Sequence, residues 1–138
     1  MGMKWAQSLI RIAKHEVETL QKRVAEVTAR RVACEQRLEA MHAEAAREAE
    51  FARADPDAGW RLAGYMKGWR LMREQLNEQI AAIAAEEAGA RDALSQAFEE
   101  LKKFEHVAEM ARIADAKEAA KRESAAMDEM GLRKASGR

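Results

Sequence analysis

Turn chemistry is what this sequence has least of. One proline and seven glycines in 138 residues are too few breakers for a fold of many short elements. Aromatic residues make up only 5% of the chain, and its apolar fraction is mostly alanine, so there is little from which to build a bulky globular core. Cys34 is the sole cysteine, which excludes an internal disulfide and reads as a small packing side chain. No stretch approaches the roughly 20 apolar residues that a bilayer span requires. The start of the chain also lacks the apolar run of a signal peptide, so we expect a cytoplasmic protein with no direct membrane insertion.

Charge is abundant but balanced, with 24 basic and 24 acidic residues. It is unevenly spread. Residues 1–31 carry seven Lys or Arg against three Glu, residues 32–101 eight basic against fourteen acidic, and residues 102–138 nine basic against seven acidic. If the two ends meet, one pole is basic and the body acidic, which fits either a solvated surface or electrostatic docking. Acidic residues interleave the basic ones and no aromatic platform accompanies them, which argues against nucleic-acid binding.

What the chain does have is an apolar seam spaced three and four residues apart. It runs through Ile10, Ala13, Val17, Leu20, Val24, Val27, Cys34, Leu38, Met41 and Ala45. It recurs through Leu76, Ile80, Ile83, Ala90, Leu94, Ala97, Leu101, Phe104, Ala108 and Ala111. A seven-residue repeat sustained over five heptads keeps one stripe facing a partner helix. The fold expected is all-α, two long helices forming an antiparallel coiled-coil hairpin within one domain, residues 1–138. Fifty residues of helix make a rod of roughly 75 Å.

Each seam has one charged gap, Arg31 in the first and Glu87 in the second. Facing residues of an antiparallel pair have a constant sum of positions. Matching Arg31 with Glu87 sets that sum at 118, which also brings Val17 to Leu101, Val24 to Leu94 and Leu38 to Ile80. A polar pair in such a seam costs stability and is best known for fixing register.

The breakers cluster at Ala54-Asp55-Pro56-Asp57-Ala58-Gly59. Two readings compete. Asp55 and Pro56 can cap and restart a helix at once, or the reversal can occupy a longer loop. The register centre near 59 favours the loop. The expected boundaries are a first helix over about 4–53, a loop over about 54–61, a second helix over about 62–130 closed by Gly131, and a frayed tail over 131–138. By the same register, Asp115 onward has no intramolecular partner.

No catalytic constellation is visible. His15, His42 and His106 lie too far apart for a helical metal pair, Gly64 and Gly68 are not followed by the Lys-Ser or Lys-Thr of a phosphate loop, and a rod offers no concave pocket. We expect no enzyme activity, no cofactor and no metal. The aromatic cluster is more informative. Tyr65, Trp69, Met72 and Leu76 form one helical stripe with Trp60 nearby. They read either as a plug closing the hairpin tip or as a docking patch, with Trp60 and Tyr65 the more exposed.

Three segments resemble the FliJ family, the coiled-coil proteins of the bacterial flagellar type III export apparatus. They are the opening Ser8-Leu9-Ile10-Arg11-Ile12-Ala13-Lys14-His15-Glu16-Val17-Glu18, the aromatic region Trp60 to Leu76, and Ala126-Met127-Asp128-Glu129-Met130. Gly64 and Gly68 depart from the larger side chains the family carries there. The resemblance implies a stalk-like protein that binds and stimulates the hexameric flagellar export ATPase. It also implies contacts with the export-gate membrane protein and with export chaperones, and a peripheral place at the inner membrane. Carried onto this sequence, Arg11, Lys14, Glu16, Glu18, Met127, Asp128 and Glu129 would face the ATPase, while Trp60, Tyr65, Trp69, Met72 and Leu76 would face the gate. A monomer is expected in that role. The alternatives are a self-associating structural coiled coil, with a homodimer forming a four-helix bundle, and the equivalent stalk of a virulence secretion system.

Overall fold

A computed structural model describes residues 2–137, with side-chain surroundings from residue 4. Two helices make up nearly all of it, α1 over Gly2–Ala54 and α2 over Gly59–Ser136, joined by Asp55 and a 3-10 turn over Pro56–Ala58. They pack against each other as an antiparallel hairpin. Every seam position named above is buried or half-buried, because each falls on the stripe where one helix meets the other.

The turn is tighter than the 54–61 loop expected from the register. Asp55 is extended (φ −125°, ψ 107°), as the residue before a proline must be. Its Oδ1 accepts from the Asp57 N–H at 3.1 Å, and its carbonyl accepts from the Ala58 N–H at 3.1 Å. Pro56 takes the first position of the turn, where its missing donor costs nothing. Helix therefore resumes at Gly59, not at 62, and the immediate restart is what the chain adopts. The register misled because long side chains tolerate stagger. Glu86 accepts from both Arg23 (2.6 Å) and Arg30 (3.0 Å), residues two turns apart, so an arginine–carboxylate pair cannot place a turn to the residue.

At the other end α2 runs on to Ser136, past the stop expected at Gly131. No glycine among the described residues has a positive φ, so Gly131 stays helical and caps nothing. The helix closes where the Gly137 N–H and the Ser136 hydroxyl both reach the Arg133 carbonyl. The tail expected over 131–138 is thus helical to residue 136, and Arg138 lies outside the described residues.

The hairpin divides into two compact units. One holds Met1–Val17 with Gln96–Arg138, the other Glu18–Ser95. In the first the core is Ala6, Ala13 and Val17 against Ala97 and Leu101. In the second it is Val27, Ala45, Leu76 and Ile83, with Ala58 and Trp69 toward the turn. Alanine supplies three of the five residues of the first core, which lets the helices approach closely there, while Leu76, Ile83 and Trp69 make the second bulkier. Among the described residues no polar or charged residue is fully buried.

Candidate partner-binding surfaces

In the Glu18–Ser95 unit the charged seam gap is filled by a real pair. Arg31 Nε donates to Glu87 Oε2 at 3.1 Å, while Arg31 Nη1 reaches Glu35 at 2.9 Å. A hydrogen bond from Thr28, then one from Arg31, holds the Glu87 carboxyl below its usual value. A carboxylate with a depressed folded value adds stability above its unfolded value, and that stability is lost as pH falls through the folded one. The expected result of replacing both Arg31 and Glu87 with leucine is unchanged helix content and a melting temperature less sensitive to acid. Circular-dichroism melts between neutral and acidic pH check this.

The aromatic stripe splits when placed in space. Trp69 is 9% exposed and belongs to the core. Its indole N–H donates to the Met41 carbonyl at 2.9 Å, its ring meets His42 edge-on at 5.1 Å, and the Arg73 guanidinium lies 5.2 Å from its centroid. Leu76 is buried too, and Tyr65 is half-buried. Burial, then the Glu44 and Glu48 carboxylates, push the Tyr65 phenol above its ordinary value. Trp60 and Met72 remain open at 74% and 52%, and Phe51 and Leu71 join them. Those last two fall outside the stripe, so the sequence pattern did not single them out.

A groove of about 330 Å³ follows, lined by Met41 and Glu44 of α1 and by Gly64, Tyr65, Gly68, Trp69 and Met72 of α2. It adjoins a hollow of about 230 Å³ beside Phe51 and Tyr65. A Cβ built on Gly64 or Gly68 would meet no atom within 4 Å, so nothing within the chain requires glycine there. Each weakens the helix by about 0.5–1 kcal/mol relative to alanine.

In the Met1–Val17 and Gln96–Arg138 unit, Trp5, Leu9 and Ile12 form a second apolar stripe, each one residue before a seam position. Trp5 and Ile12 are exposed. Leu9, Ile12 and Ala13 with Ala97 and Phe104 line a groove of about 310 Å³ rimmed by Glu16 and Glu100. The i, i+4, i+7 spacing of Trp5, Leu9 and Ile12 was the available signal for it. Arg11, Lys14 and Glu16 lie exposed on this end of α1, while Glu18 begins the other unit.

Beyond the half-buried Ile113, residues 114–137 are exposed throughout. This stretch includes Met127, Asp128 and Glu129. The segment over 114–136 extends roughly 35 Å, so the structure does not gather Met127 to Glu129 into one cluster with Arg11 and Lys14. Propagation from a formed helix needs no new nucleus. Pairs such as Arg122–Glu118 and Arg133–Glu129 each add a few tenths of a kcal/mol.

Among the described residues no group of three His, Cys, Asp or Glu is placed to hold a metal ion, and no helix is long and apolar enough to cross a membrane. Cys34 is half-buried in the seam and unbonded.

No family model matches the chain, and no solved structure matches it. Two curated proteins do. The flagellar FliJ protein of Caulobacter vibrioides strain NA1000 / CB15N is 56% identical over 132 residues, covering 96% of this chain and 95% of the relative. The flagellar FliJ protein of Caulobacter vibrioides strain ATCC 19089 / CIP 103742 / CB 15 gives the same identity and coverage.

Proposed function

Because this chain belongs to the flagellar FliJ protein family, we propose that it serves flagellar protein export as a non-enzymatic coiled coil. In this reading it is a stalk that binds the hexameric export ATPase and raises its turnover. The observation that carries the reading is the exposed run of α2 beyond Ile113. A helix of that length with alanine and methionine on its surface and no partner in its own chain is suited to a groove or a ring of another protein.

The ATPase-facing residues are Met127, Asp128 and Glu129 on this run, with Arg11, Lys14, Glu16 and Glu18 on α1. Trp60, Tyr65 and Met72 form the surface offered to the export gate, because large exposed side chains on a polar helix are what hot spots are made of. Trp69 and Leu76 support that surface from the core. Export chaperones are further partners. A cytoplasmic place, peripheral to the inner membrane through those partners, agrees with the lack of a membrane-spanning helix among the described residues.

Titrating the purified chain into the export ATPase tests the reading. The expected result is saturable binding with higher turnover, and a chain that neither binds nor stimulates would end it.

A further inference from the structure

The groove of about 310 Å³ in the Met1–Val17 and Gln96–Arg138 unit has an apolar bed and one charged end. Ala13 and Ala97 are buried beneath it, Leu9 and Phe104 are half-buried along its walls, and Ile12 stands open on its lip at 66% exposure. Trp5, one turn before Leu9, and Val107, one turn past Phe104, continue the two walls and are exposed as well. Because the helices run antiparallel, those two lie toward one end of the groove while Glu16 and Glu100 lie at the other. Both carboxylates are exposed, and neither has an ion pair or hydrogen bond among the described residues.

The geometry points to this groove as the seat of an amphipathic helix from another protein, one whose apolar face ends in arginine or lysine. A groove between two helices accepts a third through anchors spaced i, i+4 and i+7. From Trp5 to Glu16 the groove side of α1 extends roughly 16 Å, the length of a three-turn helix. Large apolar side chains left open on an otherwise polar rod give such anchors their contacts. At the charged end a cation set between Glu16 and Glu100 forms charge-assisted hydrogen bonds and fixes which way the helix runs.

The two carboxylates decide between occupants. They repel an anionic membrane surface. The same groove in a second copy of the chain supplies two more carboxylates and no cation. A basic helix alone matches both the apolar bed and the charge. Three turns of helix cover much less than the roughly 800 Å² per partner of a standard interface, so the affinity is micromolar. The export ATPase reading is carried by the run of α2 beyond Ile113 and shares only Glu16 with this groove, so either can fail without the other.

Panning a phage-displayed random library of peptides about 14 residues long, roughly four helical turns, on the full chain with counter-selection on Ile12→Gln tests this. The expected selection is peptides with apolar residues at i, i+4 and i+7 and Arg or Lys at one end. In fluorescence anisotropy a labelled peptide from that set is expected to bind the wild-type chain with micromolar affinity. It should bind Ile12→Gln at least tenfold more weakly and Glu16→Gln/Glu100→Gln about threefold more weakly. All three sites are exposed, so both variants should melt as the wild-type chain does, which separates a lost groove from a lost fold. Selected peptides without basic residues, equal binding to the double-glutamine chain, or a library that yields no binder dependent on Ile12 each overturn the inference. Co-sedimentation with phosphatidylglycerol vesicles, or self-association, that is lost in Ile12→Gln would overturn it as well, giving the groove to a membrane or to a second copy.

Discussion

Trp69→Ala is expected to remove about 3–5 kcal/mol of stability, a large part of the 5–15 kcal/mol typical of a whole domain. The side chain sits 9% exposed between the helices close to the turn. Truncation leaves a void where a ring of roughly 150–250 Å² was covered, in contact with the edge of His42. Loss of the indole N–H bond to the Met41 carbonyl adds about 1 kcal/mol. Trp69→Phe isolates that second contribution, since it keeps most of the ring. Trp60→Ala is the control, expected to change stability by less than about 0.5 kcal/mol because it is mostly solvated. Urea unfolding of the three variants checks the ranking. The contrast also bears on binding experiments. Weaker partner binding by a Trp69 variant reports a damaged hairpin tip, whereas weaker binding by a Trp60 or Met72 variant reports the surface itself.

Truncation after Ile113 is expected to have the opposite profile, a stable hairpin with no effect on the ATPase. The removed residues are exposed throughout and make their ion pairs with neighbours one turn away on the same helix, so their loss leaves both cores untouched. The melting temperature should stay within a few degrees of the full chain. If this run of α2 docks in the ATPase, affinity should fall at least tenfold, a cost of about 1.4 kcal/mol or more, and turnover should return to its basal rate. A truncated chain that stimulates as well as the full one would move the docking surface to the Trp5, Leu9 and Ile12 stripe or to the basic residues of α1.

Both predictions use features that the sequence displayed unequally. The seam was legible because alternating steps of three and four, held for five heptads, leave one solution for which faces meet. The exposed end of α2 was legible too, since the 118 register leaves Asp115 onward without a partner, close to Ile113, where burial ends. Trp69 was harder. Grouping it with Tyr65, Met72 and Leu76 mixes two faces, for Trp69 and Leu76 lie seven apart on the seam while Met72 lies beside it. Carrying the seven-residue step back from Leu76 lands on Trp69 and then on Leu62, both covered in the structure.

The turn was obscured by the reach of arginine, which lets Glu86 bind guanidinium groups two helical turns apart. Gly131 was obscured by its neighbours. A glycine ends a helix only where the backbone turns left-handed, and nothing after it draws the chain away. The second apolar stripe on α1 was hidden by the stronger seam one residue along.

Electron-resonance distances between spin labels at Arg11 and Val107 address the arrangement on which all of this depends. Both positions are exposed, so the labels leave the seam intact, and both lie in the unit from which the unpartnered run of α2 emerges. Packed helix axes about 8–10 Å apart, with two label arms, give a narrow distribution at roughly 15–25 Å. A broad distribution, or one centred beyond about 40 Å as for helices running end to end, would contradict the hairpin and with it the free end of α2.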